Sequence, residues 1–299
     1  MNLRQLSQFI ALAEAGNFHR AAEQLHMAQP PLSISIRKLE AELGSLLFER
    51  TPTGVFLTPA GAAMLADARA ALIHADKCRQ AVQDVRDGEG GRVRLGFVGS
   101  ATYDLMPRLI PSLRARYPKL ALEFDEATTS EILEGLRNGH LDLGLVRYPV
   151  LEDSRCVLTP LDRDDFMLAV SDKSPLARHD EIALSDATHE PFVMYPKNKV
   201  PSLAALAYMR CQLSGFTPQV AQEAMQVQTI MSLVASGLGV GLVAGVSRLV
   251  QPRGVKCLRL TDNPPEFHVG IALARHEGPV SRIIERITEH ALAFAQLSR

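Results

Sequence analysis

Three observations predict an α/β protein in three parts. Residues 3–58 carry three short helical patterns followed by a hairpin-like stretch, residues 59–87 carry one long helical pattern, and the chain from residue 91 alternates strand and helix patterns. A chain of 299 residues is too long for one ordinary core. With 46% apolar and 22% charged residues, and 32 basic against 33 acidic side chains, it is neither a disordered chain nor a bulk polycation. This balance of charge names no partner.

In the first part, Leu6, Phe9, Ile10 and Ala13 recur at helical spacing, and Gly16 with Asn17 supply a stop, which predicts a helix over 3–15. Asn17 can cap a second helix over 18–25, with Ala21, Ala22 and Leu25 inward. After the short connection "HMAQ", the positions Leu32, Ile36, Leu39 and Leu43 mark a third helix. Proline is tolerated in a first helical turn, where its missing N–H would have no intrahelical partner, so Pro30 and Pro31 mark where this helix begins. The pattern is helix, tight turn, helix. In that motif the second helix presents its N-terminal residues to base edges in the major groove, and a helix N-terminus attracts phosphate. Gln29, Pro30, Pro31, Ser33, Ile34, Arg37 and Lys38 are the candidates on or near that end.

The following "LGSLLFERTPTGVFLTPAG" combines a glycine stop, an apolar patch, a Thr-Pro-Thr-Gly turn and a short "VFL" strand, a wing-like hairpin. Residues 1–58 hold five basic side chains (Arg4, Arg20, Arg37, Lys38, Arg50) and five acidic ones (Glu14, Glu23, Glu40, Glu42, Glu49), so total charge is uninformative. Its distribution is more telling, because no acid lies between Glu23 and Glu40.

"AAEQLHMAQPPLS", "LEAELGSLLFER" and "LTPAG", in register, resemble nearly throughout the winged helix-turn-helix of LysR-type transcriptional regulators. The resemblance implies binding to double-stranded DNA, with two departures. Position 34, where relatives often carry Arg or Gln, is Ile34, and the wing position that is often Arg is Thr53. Ile34 offers only apolar contact, for instance to a thymine methyl, and Thr53 cannot fill a minor groove as Arg can. Gln29, able to pair bidentately with adenine, is the leading base reader, with Arg37 and Arg50 as phosphate contacts.

Thr58 at the N-cap and Pro59 in the first turn open a long helix over 59–87. Met64, Ala68, Ala71, Ala75, Cys78, Val82 and Val85 alternate at spacings of four and three, with Leu65 and Leu72 beside them. That is the rhythm of a coiled-coil seam, and it predicts dimerisation, which suits a pseudo-palindromic DNA site. "DGEGG" ends the helix, with glycines 88, 90 and 91 as a flexible joint.

Beyond it, "RVRLGFV", a helix over 105–117, "LALEFDEA", a helix over 130–138 and "LDLGLVR" form a βαβαβ run. Such a run predicts a parallel sheet whose ligands gather beyond the carboxyl ends of the strands. A second set begins near 162, with "DFMLAV", "PFVMY" and a helix near 202–214. "EFHVGIALA" and a helix over 280–296 close the chain. The resemblance implies a two-lobed periplasmic-binding-protein-like effector domain. Lobe I is expected over 91–161 plus 266–299 and lobe II over 162–265, after a DNA-binding domain (1–58) and a linker (59–90). The crossings are placed near Pro160 and near Pro264 and Pro265.

Ser100, Thr128, Thr129 and Arg147 follow strands at one sheet edge, where hydroxyls, helix N-termini and a guanidinium can hold a carboxylate. Thr128 with Glu131 also has the spacing of a capping box, and Arg147 could equally pair with an acid. "DLGLVR" and "MYPKNKVPS" most resemble regulators that sense aromatic or dicarboxylic intermediates of aromatic degradation. There the positions matching Ser202 and Leu203 are often Asn and Phe, so the particular ligand does not carry over from them. Gln228 is a further second-lobe candidate, with Thr229 beside it.

The remaining features exclude other classes. The uncharged stretch 224–247 is long enough to span a membrane, but Gly237, Gly239, Gly241 and Gly245 and the polar Gln226, Gln228 and Thr229 read instead as helix, glycine turn and strand. "GLGVG" follows a helix and precedes a strand, the reverse of a nucleotide loop, and no G-x-S-x-G, HExxH or P-loop occurs. Catalysis, metals and cofactors are therefore not expected, whereas a small organic effector is. Cys78, Cys156, Cys211 and Cys257 lie dozens of residues apart and read as small apolar residues. The N-terminus carries no secretory pattern, so the cytoplasm is expected. The resemblance further implies a homotetramer built as a dimer of dimers, with RNA polymerase as a further contact. The alternative is a solute receptor whose N-terminal segment only dimerises.

Overall fold

The computed structural model describes residues 1–52, 54–87, 91–152, 154–262, 264 and 267–297. The chain divides at 88/89 into two compact units.

In the first unit, α1 (Leu3–Ala15) ends at Gly16, and α2 (Phe18–Gln24) starts on Asn17, whose side-chain Oδ1 accepts from the amides of His19 (2.8 Å) and Arg20 (3.3 Å). The α3 helix (Gln29–Leu43) carries both prolines in its first turn. Leu32, Ile36 and Leu39 of α3 are fully buried against Phe9 and Leu12 of α1 and Ala21 and Ala22 of α2. Each such large side chain contributes about 1.5–3 kcal/mol by leaving water.

Strands β1 (Phe48–Thr51) and β2 (Gly54–Leu57) form the antiparallel wing. Phe48 stacks its ring 5.3 Å from Phe9, and the Val55 amide donates to the Gly16 carbonyl at 2.9 Å, so the wing is fastened to the α1–α2 turn. Two buried polar side chains set the angle of α3. Gln8 accepts from the Ser35 hydroxyl and donates to Met27 Sδ (3.4 Å). Glu40 accepts from the amides of Leu47 (2.9 Å) and Phe48 (3.2 Å), tying the end of α3 to the first strand.

The long α4 helix (Pro59–Asp87) is capped by Thr58, whose Oγ1 accepts from the Gly61 amide at 3.1 Å. No described helix is long and apolar enough to cross a membrane.

The second unit holds two hydrophobic cores, one under each of two sheets. The first sheet is built from β3 (Gly91–Phe97), β4 (Leu120–Glu126), β5 (Leu143–Tyr148), β6 (Cys156–Pro160) and β13 (Gly270–His276), in the order β4-β3-β5-β13-β6. The three strands of the predicted βαβαβ run are parallel, joined through α5 (Leu105–Arg116) and α6 (Thr129–Arg137), while β13 is added antiparallel between β5 and β6. A final helix, α9 (Arg282–Leu297), packs into the same core through Ile283, Ile287 and Ala291. Gly91, expected in the joint, instead opens β3 and pairs with Leu120; Gly88 and Gly90 lie outside the described residues.

The second sheet holds β7 (Phe166–Ser171), β8 (Glu181–Ile182), β11 (Gly241–Ala244) and β12 (Val255–Leu260), in the order β11-β7-β12-β8. A parallel pair, β9 (Pro191–Met194) with β10 (Gln219–Glu223), joins it through a bridge between Phe192 and Val240. There Gly239 passes so close to β9 that a Cβ would lie 2.1 Å from the Pro191 carbonyl oxygen. Helices α7 (Pro201–Leu213) and α8 (Val227–Ala235) cover this sheet, and α8, the glycine turn and β11 account for the uncharged stretch as buried globular structure.

Between the cores the chain crosses twice, and the crossings pair with each other. Leu161 and Asp162 donate to the Ile271 carbonyl (2.8 and 3.2 Å), and Asp164 and Val269 exchange backbone bonds of 2.6 and 2.8 Å. Gly270 allows the approach, since a Cβ would fall 2.4 Å from the Asp162 carbonyl oxygen. Pro264 lies on the returning segment, and Pro265 is outside the described residues.

Two predictions follow from buried or capped carboxylates. Glu40→Ala leaves two amides without their acceptor, a loss of about 1–3 kcal/mol. In hydrogen exchange the Leu47 and Phe48 amides should exchange about tenfold or more faster, with Glu40→Gln intermediate; unchanged protection would show that the carboxylate does not hold the strand. At the start of α6, the Glu131 carboxylate accepts from the Thr128 amide (2.8 Å) and hydroxyl (2.7 Å), while the Glu131 amide donates back to Thr128 Oγ1 (3.3 Å). The Thr128 amide, then its hydroxyl, holds the Glu131 carboxyl below its ordinary value of 4.5. Its contribution is complete above that value and is lost as pH falls through the lower folded one. In a carboxyl NMR titration, Thr128→Ala should move the Glu131 midpoint up toward 4.5.

Candidate functional site

In the first unit the outward face of α3 carries Pro30, Pro31, Ile34, Arg37 and Lys38, all exposed. Gln29 is half-buried and lines a groove with Asn17, Phe18, His19, Thr51 and Val55, between the starts of α2 and α3 and the wing. Arg50 projects from β1 over the Phe18 ring, 4.6 Å from its centre. Ser33 departs from expectation: it is only 7% exposed and faces inward beside Leu32 and Ile36, because the buried stripe of α3 is wide enough to include it. Thr53 lies outside the described residues.

The stripe on α4 divides in two. Ala68 is 3% exposed and sits with Met64, Leu65, Ala71 and Leu72 in the core built on α1. Arg69 adds a 2.8 Å ion pair to Glu14 of α1. Met64, Ala68 and Ala71 are therefore engaged within their own chain rather than in a free seam. An a/d rhythm records that a helix packs, and α1 supplies the apolar partner here. Ala75 is half-buried, and Cys78 and Val82 are exposed. The Val85 side chain is outside the described ones.

In the second unit a cleft lies beyond the carboxyl ends of β3, β4 and β5. One wall is Val98 to Ser100, Ala127 to Ser130, Arg147 and Glu152; the other is Tyr195, Val200 to Leu203 and Met225 to Val227. It gathers Ser100, Thr128, Thr129, Arg147, Ser202 and Leu203 from the predicted set. Gln228 is exposed and outside the lining; Gln226 at the N-cap of α8 and Val227 take its place. The helix starts before Gln228, and two further residues turn a side chain by about 200°.

Arg147 is the last fully buried position of β5, 7% exposed. Its guanidinium donates to the Ser100 hydroxyl and to the Gly270 carbonyl (3.3 Å), and its amide donates to Thr129 Oγ1 (3.1 Å). These partners are neutral. Burial lowers the Arg147 pKa, while Tyr195, Asp162 and Asp164 oppose that through space. Tyr195, 1% exposed, follows β9, and its buried hydroxyl has no hydrogen-bond partner among the described residues. Burial pushes this phenol well up, with Arg147 working against the shift.

Two further hydroxyls of the lining are already engaged. Ser130 donates to Glu152 at 3.0 Å, and Ser202 accepts from the Leu151 amide at 3.0 Å. Burial pushes the Cys211 and Cys257 thiols up to about 12 and about 11, so neither is a ready thiolate. Tyr195 and Glu152 were missed from sequence. The one available signal was a tyrosine ending the apolar run "PFVMY".

Residues 3–62 match the family described as "Bacterial regulatory helix-turn-helix protein, lysR family", and residues 86–293 match the "LysR substrate binding domain". The HTH-type transcriptional regulator AlsR of Bacillus subtilis is 35% identical over 243 residues, 81% of this chain and 80% of its own. The crystal structure of full-length CbnR complexed with its target DNA is similar with a TM-score of 0.78 at 26% identity, covering 98% of this chain and 100% of that one. The BenM effector binding domain with its effector benzoate is similar with a TM-score of 0.61 at 27% identity, covering 69% of this chain and 93% of that one. The N-terminal match also answers the receptor alternative, since that segment is a regulatory helix-turn-helix. The chain belongs to the LysR family: it is a DNA-binding transcriptional regulator with an effector-binding domain, and not an enzyme.

Proposed function

We propose that this regulator senses a small acid bearing a single carboxylate, held in the cleft of the second unit. The observation that carries the reading is Arg147, a buried guanidinium whose direct partners are a hydroxyl and a carbonyl. A carboxylate set against Arg147 and Ser100 supplies a counter-charge in direct contact and gives the Tyr195 hydroxyl an acceptor. Val98, Val200, Leu203 and Val227 offer apolar contact to the body of the ligand. Glu152 in the same lining opposes a second carboxylate, which turns the expectation from dicarboxylates toward monocarboxylates such as benzoate, the effector in the BenM domain.

On the DNA side, α3 enters the major groove, with Gln29 toward base edges and Arg37, Lys38 and Arg50 toward phosphates. The remaining exposed part of the α4 stripe, Ala75, Cys78 and Val82, pairs two chains, and two dimers make a tetramer in the cytoplasm. The lobes are residues 91–161 with 266–299, and 162–265. The effector binds one closure of the lobes better than the other. By that difference alone it shifts the assembly on a pseudo-palindromic site and changes the contact with RNA polymerase.

Calorimetry of the full chain with benzoate and with a six-carbon dicarboxylate tests the proposal. Benzoate should bind the more tightly. Arg147→Ala should weaken it about tenfold to a hundredfold, and Tyr195→Phe about fivefold. Undiminished binding in Arg147→Ala, or preference for the dicarboxylate, would place the carboxylate elsewhere.

A further inference from the structure

We propose that Glu152 makes the cleft select acids whose apolar body also carries a hydrogen-bond donor, a hydroxyl or an amine, set apart from the carboxylate. The inference rests on the reading of Arg147 as the carboxylate anchor and adds a second point of recognition to it. Arg147 and Glu152 are the charged groups among the described lining residues. They are separate poles, since the acids that act through space on Arg147 are Asp162 and Asp164.

Glu152 is held in place from two sides. Its carboxylate accepts from the Ser130 hydroxyl at 3.0 Å, in the first turn of α6, and the neighbouring Leu151 amide donates to Ser202 Oγ at 3.0 Å, in the first turn of α7. The loop after β5 is thereby fastened to both walls of the cleft. Ser130 occupies one carboxylate oxygen, and the other accepts from no described residue. The Tyr195 hydroxyl, on a side chain 1% exposed, likewise has no described partner, so the lining holds polar groups that a ligand completes. A ligand body seated on Val98, Val200, Leu203 and Val227 strips water from Glu152. A purely apolar body offers nothing in exchange for that water, whereas a hydroxyl or amine within reach restores the hydrogen bond. Sites that bond a ligand hydroxyl discriminate against the analogue lacking it, because the protein's own polar group is then left unpaired. Arg147 reads the acid, and Glu152 reads what else the molecule carries.

Calorimetry of the full chain at neutral pH tests this with benzoate, meta- and para-hydroxybenzoate, para-aminobenzoate, and the methyl ethers of the two hydroxy acids. At least one donor-bearing acid should bind about tenfold more tightly than benzoate, and methylating a hydroxyl that gives such a gain should abolish it. Glu152→Ala should bring that acid and benzoate to within about twofold of each other, with benzoate bound at least as tightly as by the wild type. Glu152→Gln, which keeps an acceptor of similar size, should retain part of the preference. No gain over benzoate for any donor-bearing acid, or a preference that persists in Glu152→Ala, overturns this proposal; benzoate binding that still depends on Arg147 then leaves the carboxylate anchor standing. Loss of binding for every acid in the series, or binding undiminished in Arg147→Ala, overturns the anchor and this proposal with it.

Discussion

A guanidinium taken out of water carries a desolvation cost of several kcal/mol, and the second unit is organised around meeting that cost at Arg147 without an acid in direct contact. The solution recruits three elements. Ser100 comes from the turn after β3, Thr129 from the first residue of α6, and the Gly270 carbonyl from the start of β13. Arg147 thus pins together the carboxyl end of β5, the start of a helix and the returning crossover. Asp162 and Asp164 add through-space attraction from the outgoing crossover. A ligand that alters the electrostatics at Arg147 acts on groups bonded to both crossings.

The opposite wall is tied to the returning crossing by a single helix. At its first turn Ser202 accepts from the Leu151 amide, and two turns later Arg210, only 1% exposed, donates to the Asp262 carbonyl at 3.0 Å and meets its carboxylate at 3.4 Å. Eight residues of helix separate these anchors by about 12 Å. Displacement of the cleft wall therefore loads the chain at residue 262, on the segment that returns to the first sheet. Interiors packed at this density shift between discrete arrangements rather than deform smoothly, which suits a two-state response.

Legibility from sequence followed the strength of local signals. Helices with an apolar period and a chemical stop, such as α1 ending at Gly16 and α2 starting on Asn17, were readable to within a residue, and the βαβαβ run to within two. Strands β6, β8, β10 and β12 were not, because two to six residues with half-exposed or mixed faces carry no period. Ser100, Thr129 and Arg147, expected at strand ends, line one cleft because topology alone brings such ends together. Tyr195 and Glu152 reach the cleft only through the packing of the second sheet and the loop after β5. Gln228 lies outside the lining because α8 starts one residue earlier than expected, Ser33 turns inward because the buried stripe is wide, and part of the α4 stripe packs on α1 because spacing cannot say which helix will fill it.

Counting charge in the first unit misled for a physical reason. Five acids balance five bases over residues 1–58, yet the acids are not all available to oppose DNA. Glu40 turns inward onto two backbone amides, and Glu14 is held by Arg69 from α4. Arg37 and Lys38 stand exposed on the same helix that buries Glu40. A carboxylate compensated by amides at the end of α3 does two things at once: it ties the helix end to the first strand, and it removes a negative charge from the exposed surface of the helix. The polarity of a DNA-facing helix is therefore decided by which of its charges the fold consumes, a property of side-chain direction that composition does not contain.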